Sequence, residues 1–220
     1  MKTENYLRKR QTSTIHKFGL YRRSEMMVQQ IKSLDVAKQA IIVDIGTADG
    51  QVLRTILDHS VIQMGIGIDT RYDHLKIAKE RILNLIQATG EILPLLSNSV
   101  EIIFSTAVIK HLPNLQCHID ECRRVLKPHG KLITIDPTPL GIKLGLLFGH
   151  FSESIIYQTL SLKEMQALLV SSGFRIIEEK RFMLFPFPIM GYQFFEKLLQ
   201  AAHLDFLFLN QLVCAECVDN

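Results

Sequence analysis

From residue 40 onward, short continuous apolar runs alternate with stretches of helical spacing. Ala40–Ile45 is rich in β-branched residues, and Val52–Leu57 opens a helix behind a glycine turn. Met64–Ile68 reads as a second strand, residues 73–82 as a helix, Leu85–Ala88 as a third strand and Val100–Ser105 as a fourth. Ile119, Cys122, Val125 and Leu126 lie on one helical stripe, KPHG (127–130) stops that helix, and Lys131–Ile135 is a fifth strand. Upstream, Met27, Ile31 and Leu34 predict a helix over 21–38. Downstream the alternation loosens. Residues 138–152 are apolar but hold four glycines or prolines, so a loop or short helix is expected there. Ser161–Ser172 is a helix with Ser161 as candidate N-cap and Gly173 as candidate stop. Phe174–Phe182 and Phe206–Val213 read as two last strands without a crossover helix of the usual kind, hence an antiparallel pair at the sheet edge.

Strands alternating with helices predict an α/β fold, three layers deep, with a mostly parallel sheet and an antiparallel last strand. The 220 residues suit one domain. It divides into a basic arm and helix (1–38), a central half (40–137), and a remainder (138–220). No signal peptide is expected, because MKTENYLRKR has no apolar core. The greasiest stretch, 182–195, is too short to span a bilayer and carries two prolines. These features predict a cytoplasmic protein without a transmembrane segment.

Charge and cysteine refine the picture slightly. Residues 1–23 hold seven Lys/Arg against one acid, so the arm is +6 within a chain of net charge +3. Such an arm is a solvated terminus or a contact for an anionic partner, a lipid surface included. Cys214 and Cys217 form a CxxC, but on a strand residues three apart face opposite ways, and no metal site is expected.

The chemistry-bearing positions fall at strand ends, where open parallel sheets bind ligands. VDIGTADG (43–50) places Gly46, Thr47, Ala48, Asp49 and Gly50 after the first strand. Asp69 follows the second strand, nineteen residues past Gly50, where a carboxylate can accept from ribose hydroxyls. The turn alone fits any nucleoside cofactor. It lacks the G-x-G-x-x-G register of dinucleotide sites and the Gly-Lys-Ser/Thr of a P-loop.

Further on, LPLLSNSVEIIFSTAVIKHLPN (93–114) and HIDECRRVLKPHGKLITIDP (118–137) closely resemble the type-11 family of S-adenosylmethionine-dependent methyltransferases. The resemblance covers roughly residues 40–137 and implies a Rossmann-like methyltransferase fold with S-adenosylmethionine as cofactor. It implies further that Asp44, Gly46, Thr47, Ala48 and Gly50 serve the methionine end, and Asp69 with Thr70 the ribose. Thr89, Gly90 and Glu91 would flank the adenine, and Thr106 and Ala107 would line the floor beneath the sulfonium. Asp44 either faces the ammonium or pins the turn backbone. Four positions depart from the family pattern: Ala48 stands for its middle glycine, Thr89 for a carboxylate near adenine, Glu101 for Asp, and His129 for the first glycine of PGG.

The resemblance predicts methyl transfer to a small-molecule or lipid-like acceptor. The alternatives are a catalytically inactive methyltransferase-like binding module and a nicotinamide-dependent oxidoreductase. A nucleic-acid acceptor has only the basic arm behind it. The sequence assigns no catalytic residue: His111 is a candidate base with a structural alternative, and His118, His129, His150 and Tyr157 cannot be ranked. A homodimer is compatible with the apolar insertions 138–152 and 182–209, which otherwise suit an apolar cap over the acceptor, gated by Arg22 and Arg23.

Overall fold

Period-two alternation on strands buried on both sides sends successive side chains into two separate cores. Ile42, Phe104 and Ile133 join one cluster, and their neighbours Val43, Ile103 and Leu132 join the other. In the computed structural model, which describes residues 12–82, 84–150 and 156–218, the strands are β1 Ile41–Ile45, β2 Met64–Asp69, β3 Asn84–Gln87, β4 Val100–Thr106, β5 Leu126–Pro137, β6 Phe174–Phe182 and β7 Asn210–Cys217. They form one sheet in the order β3-β2-β1-β4-β5-β7-β6. β7 runs antiparallel to β5 and β6, and the other pairs are parallel. The chain winds one way from β1 through β2 to β3, then returns to β4 on the other side of β1. The β1–β4 border is therefore the switch point where a crevice opens at the carboxyl edge.

The helices are α1 Thr14–Ser33, α2 Gln51–His59, α3 Tyr72–Ala78, α4 Leu115–Val125, α5 Pro139–Leu147, α6 Leu162–Ser171 and α7 Tyr192–Ala201. Met27 and Ile31 of α1 with Leu53 and Ile56 of α2 cover one face, and Ile119 and Val125 of α4 with Met165 and Leu169 of α6 cover the other. α6 starts on a full capping box between Ser161 and Glu164, and the chain turns out of it at Gly173, φ +82°. Cys214 and Cys217 lie in opposite clusters, as the pleat requires.

Several boundaries differ from the sequence reading. α1 spans 14–33 rather than 21–38: Phe18 and Leu20 extend its buried stripe, and Leu34 is already extended. KPHG lies inside β5 rather than ending a helix. A register shift opposite Val100–Ile102 and a left-handed His129 (φ +61°) absorb the irregularity. The short helix expected as one alternative within 138–152 is α5, capped by Thr138 Oγ1, which accepts from Gly141 N at 3.0 Å. β7 begins at Asn210 instead of Phe206, because Asp205–Leu207 is a 3-10 turn.

Of the two arginines read as a gate, Arg22 is taken up inside the fold. Lys2, Arg8, Lys9 and Arg10 lie outside the described residues, and Arg22 is buried. Its guanidinium donates to Glu25 at 2.6 Å and Glu196 at 2.5 Å, and stacks over the Tyr192 ring at 4.7 Å. α7 is thereby turned inside out. Its buried residue is Glu196, while Phe194, Phe195 and Leu198 face solvent. None of the described helices is long and apolar enough to cross a membrane.

Removing one partner of a buried pair leaves the other charge uncompensated. Glu196→Ala is expected to cost about 3 kcal/mol in urea unfolding, and the Arg22→Met/Glu196→Leu double variant to recover most of it.

Candidate active site

The turn after β1 is shaped by left-handed backbone: Gly46, Ala48 and Gly50 have φ of +75°, +50° and +72°. The end of β2 takes three of its amides, and a fourth bonds within the turn. Gly46 N and Thr47 N donate to Ile68 O at 2.8 and 3.0 Å, Ala48 N to Asp69 Oδ2 at 2.9 Å, and Gly50 N to Thr47 O at 2.9 Å. A phosphate cradle needs such amides free and pointing outward, so this turn is not built for one. The glycines also answer to packing. A Cβ on Gly46 would stand 2.4 Å from Val108 Cγ2, and one on Gly50 3.0 Å from Ile82. Thr47 folds over Gly67, leaving its buried Oγ1 without a hydrogen-bond partner. Asp44, Asp49 and Asp69 are all buried around this turn, at 1%, 1% and 7% exposure.

Asp69 joins three segments. Beyond Ala48 N, it accepts from Arg71 N at 2.9 Å and lies 3.2 Å from His74 Nδ1. Burial alone would raise its pKa, but the bonds from His74, Arg71 and Ala48 outweigh that and hold it below the usual carboxylate value. Thr70 sits exposed at the rim, its carbonyl accepting from Gln87 Nε2 at 3.0 Å.

The loop after β3 is equally fixed. Glu91 N donates to Thr89 Oγ1 at 3.3 Å, and Glu91 Oε1 accepts from Asn114 N at 2.5 Å. Gly90 O lies 2.8 Å from His118 Nδ1, and a Cβ on Gly90 would come within 2.9 Å of that nitrogen. His118 is fully buried on α4 and burial lowers its pKa. It holds this loop as a neutral ring.

At the end of β4, Thr106 leads into Ala107, again left-handed at φ +59°, with Ala107 N donating to Ile135 O at 2.7 Å. Lys110, buried in the 3-10 turn Ile109–His111, donates from Nζ to Ala107 O at 2.6 Å. Beside it Asp136, near the end of β5, accepts from Ile109 N at 3.2 Å. Burial pushes Asp136 up to about 6, against the pull of Lys110 and Arg23, and pushes Lys110 down to about 8. Sequence reasoning did not single out either residue. The available signal was the DP that closes β5 beside the lysine of AVIKHLP.

The predicted positions 44–50, 69–70, 89–91 and 106–107 thus come together at the carboxyl ends of β1 to β4. The other candidates scatter. His111 is exposed at the end of its turn. His129 lies at the opposite end of β5, 3.5 Å from Glu216. His150 stacks edge-on with His16 at 5.9 Å, and Tyr157 is exposed. Glu101 accepts from Ile41 N at 2.7 Å and pairs with Lys127, far from the turn. A groove of about 720 Å³ between α1 and α2, lined by Tyr21, Glu25, Thr55 and His59, reaches the turn only at Gln51.

Gly46→Ala places a methyl against Val108 in a left-handed turn, so a loss of about 1–3 kcal/mol is expected in urea unfolding. Adding Val108→Ala to the same chain should return part of it. Ala48→Gly relieves the αL penalty of about 1–2 kcal/mol at an entropic cost of about 0.5–1, and should leave stability unchanged or raised.

Residues 43–134 match the family described as Methyltransferase domain. The chain is 31% identical over 103 residues to malonyl-[acyl-carrier protein] O-methyltransferase 1 of Coxiella burnetii, over 45% of this chain and 35% of that protein. It therefore spans about a third of the length of the curated relative it matches. In fold it is similar to an S-adenosylmethionine-dependent methyltransferase of Thermotoga maritima (TM-score 0.70, 20% identity, 97% of this chain and 94% of that one). It is also similar to one of Mesorhizobium loti (0.66, 17%, 86% and 95%). Residues 43–134 thus match a methyltransferase domain model, and the whole chain has the fold of S-adenosylmethionine-dependent methyltransferases.

Proposed function

We propose that this chain binds S-adenosylmethionine at the carboxyl edge of β1, β2 and β4 and transfers its methyl group to an acceptor with an apolar body. The observation that carries the reading is electrostatic. Three buried aspartates surround a turn whose amides are already bonded, an environment that favours a cation and disfavours a pyrophosphate. That supports a donor bearing sulfonium and ammonium charges over a nicotinamide dinucleotide.

When bound, S-adenosylmethionine supplies a methyl group on a positively charged sulfur, open to in-line displacement. The residues suited to hold it are Asp44 and Gly46–Gly50 for the methionine end, Asp69 and Thr70 for the ribose, Thr89–Glu91 for the adenine, and Thr106 with Ala107 below the sulfur. A carboxylate offers about four lone-pair sites and Asp69 uses three within the protein. One site remains, enough for one ribose hydroxyl rather than both. The buried Thr47 Oγ1 is a further polar atom in want of a partner. Pre-set turns at Ala48 and Ala107 hold the edge in one geometry and so align the reactants.

An apolar acceptor, lipid-like or acyl-bearing, is supported by the surface of the two insertions. Leu147 and Phe148 at the end of α5, and Phe194, Phe195, Leu198 and Phe206 in or just after α7, are exposed. The Coxiella relative is named for a substrate carried on acyl-carrier protein.

Calorimetry should register binding of S-adenosylmethionine and its demethylated product but not NAD. Asp69→Asn, which keeps the shape and loses the charge, should weaken donor binding about ten- to a hundredfold. Unchanged affinity in a folded Asp69→Asn protein contradicts the assignment. On a panel of alkylated and polar acceptors, turnover should favour the alkylated members.

A further inference from the structure

Behind the Ala107 turn, on the α4–α6 face of the sheet, lies a small cavity unclaimed by the cofactor positions. Its wall includes Lys110, Asp136, Ile142, Gln158, Met165 and Gln211. Asp136 and Gln211 are register partners on β5 and β7 and point to the same face. Both are more than nine-tenths buried, and each presents one bare acceptor: Asp136 Oδ2 and Gln211 Oε1 have no hydrogen-bond partner. Gln211 cannot relieve this by flipping its amide, because Nε2 is committed to Leu160 O at 2.8 Å. Two buried acceptors without donors form an incomplete arrangement that a group carrying O–H or N–H would complete.

The surroundings keep this carboxylate close to the reaction edge. Asp136 Oδ1 is held by Ile109 N, and Lys110 Nζ ties the same 3-10 turn to Ala107 O. The strap at 156–160 locks the turn from outside, with Tyr157 N donating to Lys110 O at 2.9 Å and Gln158 Nε2 to Ile109 O and Leu112 O at 3.2 and 3.0 Å. Among the described residues, the charged groups acting on Asp136 are Lys110 from this turn and Arg23 from α1. The residues it meets from α6 and β7 are uncharged, Met165 and Gln211.

We propose that Asp136 is the general base of the methyl transfer, so the acceptor is a hydroxyl, phenol or amine that must lose a proton and not a carboxylate. The acceptor's X–H bond breaks and its proton passes to a water, the one molecule the cavity has room for, which gives a proton to Asp136 Oδ2. The lone pair on X forms the bond to the methyl carbon as the carbon–sulfur bond breaks, and the uncharged thioether leaves. Asp136 then releases the proton to solvent. Gln211 Oε1 accepts the second hydrogen of that water and so orients it. The carboxylate titrates near pH 6 in this setting, within reach of neutral operation. This assignment rests on the methyltransferase reading above.

The test uses the full-length protein and three probes with one alkyl chain: p-decylphenol, decylamine and decanoic acid. Methyl transfer from labelled donor is followed between pH 5 and 9, with donor binding measured alongside by calorimetry. The base must be ionised, so wild-type kcat/KM on the phenol or amine should rise with pH through an apparent pKa near 6. Asp136→Asn should lower kcat about a hundredfold or more and abolish that limb, with donor affinity unchanged. If leaving Lys110 uncompensated unfolds that variant, the Asp136→Asn/Lys110→Met double variant removes both charges and carries the same comparison. Wild-type rates in either variant overturn the proposal. So does methylation of decanoic acid alone, or of no probe by a protein that binds the donor. A wild-type protein that binds no donor overturns the underlying reading and the base with it.

Discussion

The site depends on the bonding of one strand end to its neighbour. Ile68 O and the Asp69 carboxylate, at the last two positions of β2, take the amides of Gly46, Thr47 and Ala48, which leave β1. That lacing turns the chain sharply enough to start α2 behind β1. It forces left-handed backbone at alternate residues, and it draws three aspartates into a small buried volume. The same bonds consume the amides that would otherwise attract phosphate. The fastening of the turn thus suits the proposed cationic donor before any ligand contact is considered.

The two faces of the sheet divide the remaining work. On the α1 side, Arg22 and Glu196 fasten the first helix to the last insertion, and on the other face Val108 fills the space that Gly46 leaves open. On the α4 side, His118 holds Gly90, while Lys110 and Asp136 form a polar group under the 3-10 turn. Both sets converge on the loop after β4, where Ala107 is left-handed without being glycine. A strained residue between two fixed layers is a means of keeping a reactive edge in one geometry.

Much of this was legible in the chain because the central strands are continuous apolar runs with sharp polar ends. The turn at 46–50 and Asp69 could be placed for the same reason, being local features at strand termini. The pairs that complete the site were not legible. Gly46 meets Val108, Gly90 meets His118, and Arg22 meets Glu196 across 174 positions, contacts that only the sheet order creates. KPHG misled because a bulge lets a strand absorb a turn-like sequence. The run at 206–209 misled because apolar residues fill a 3-10 turn and strand approach as readily as a strand. Arg22 was misplaced at the rim since charge alone does not say whether a side chain is paired.

The most direct test of the central claim is a crystal structure with the demethylated cofactor bound. The account predicts a ribose hydroxyl within hydrogen-bond distance of Asp69, the adenine beside Thr89–Glu91, and the sulfur over Thr106 and Ala107. Ligand lying instead in the groove between α1 and α2, with the Asp69 carboxylate bonded only to protein, would contradict it.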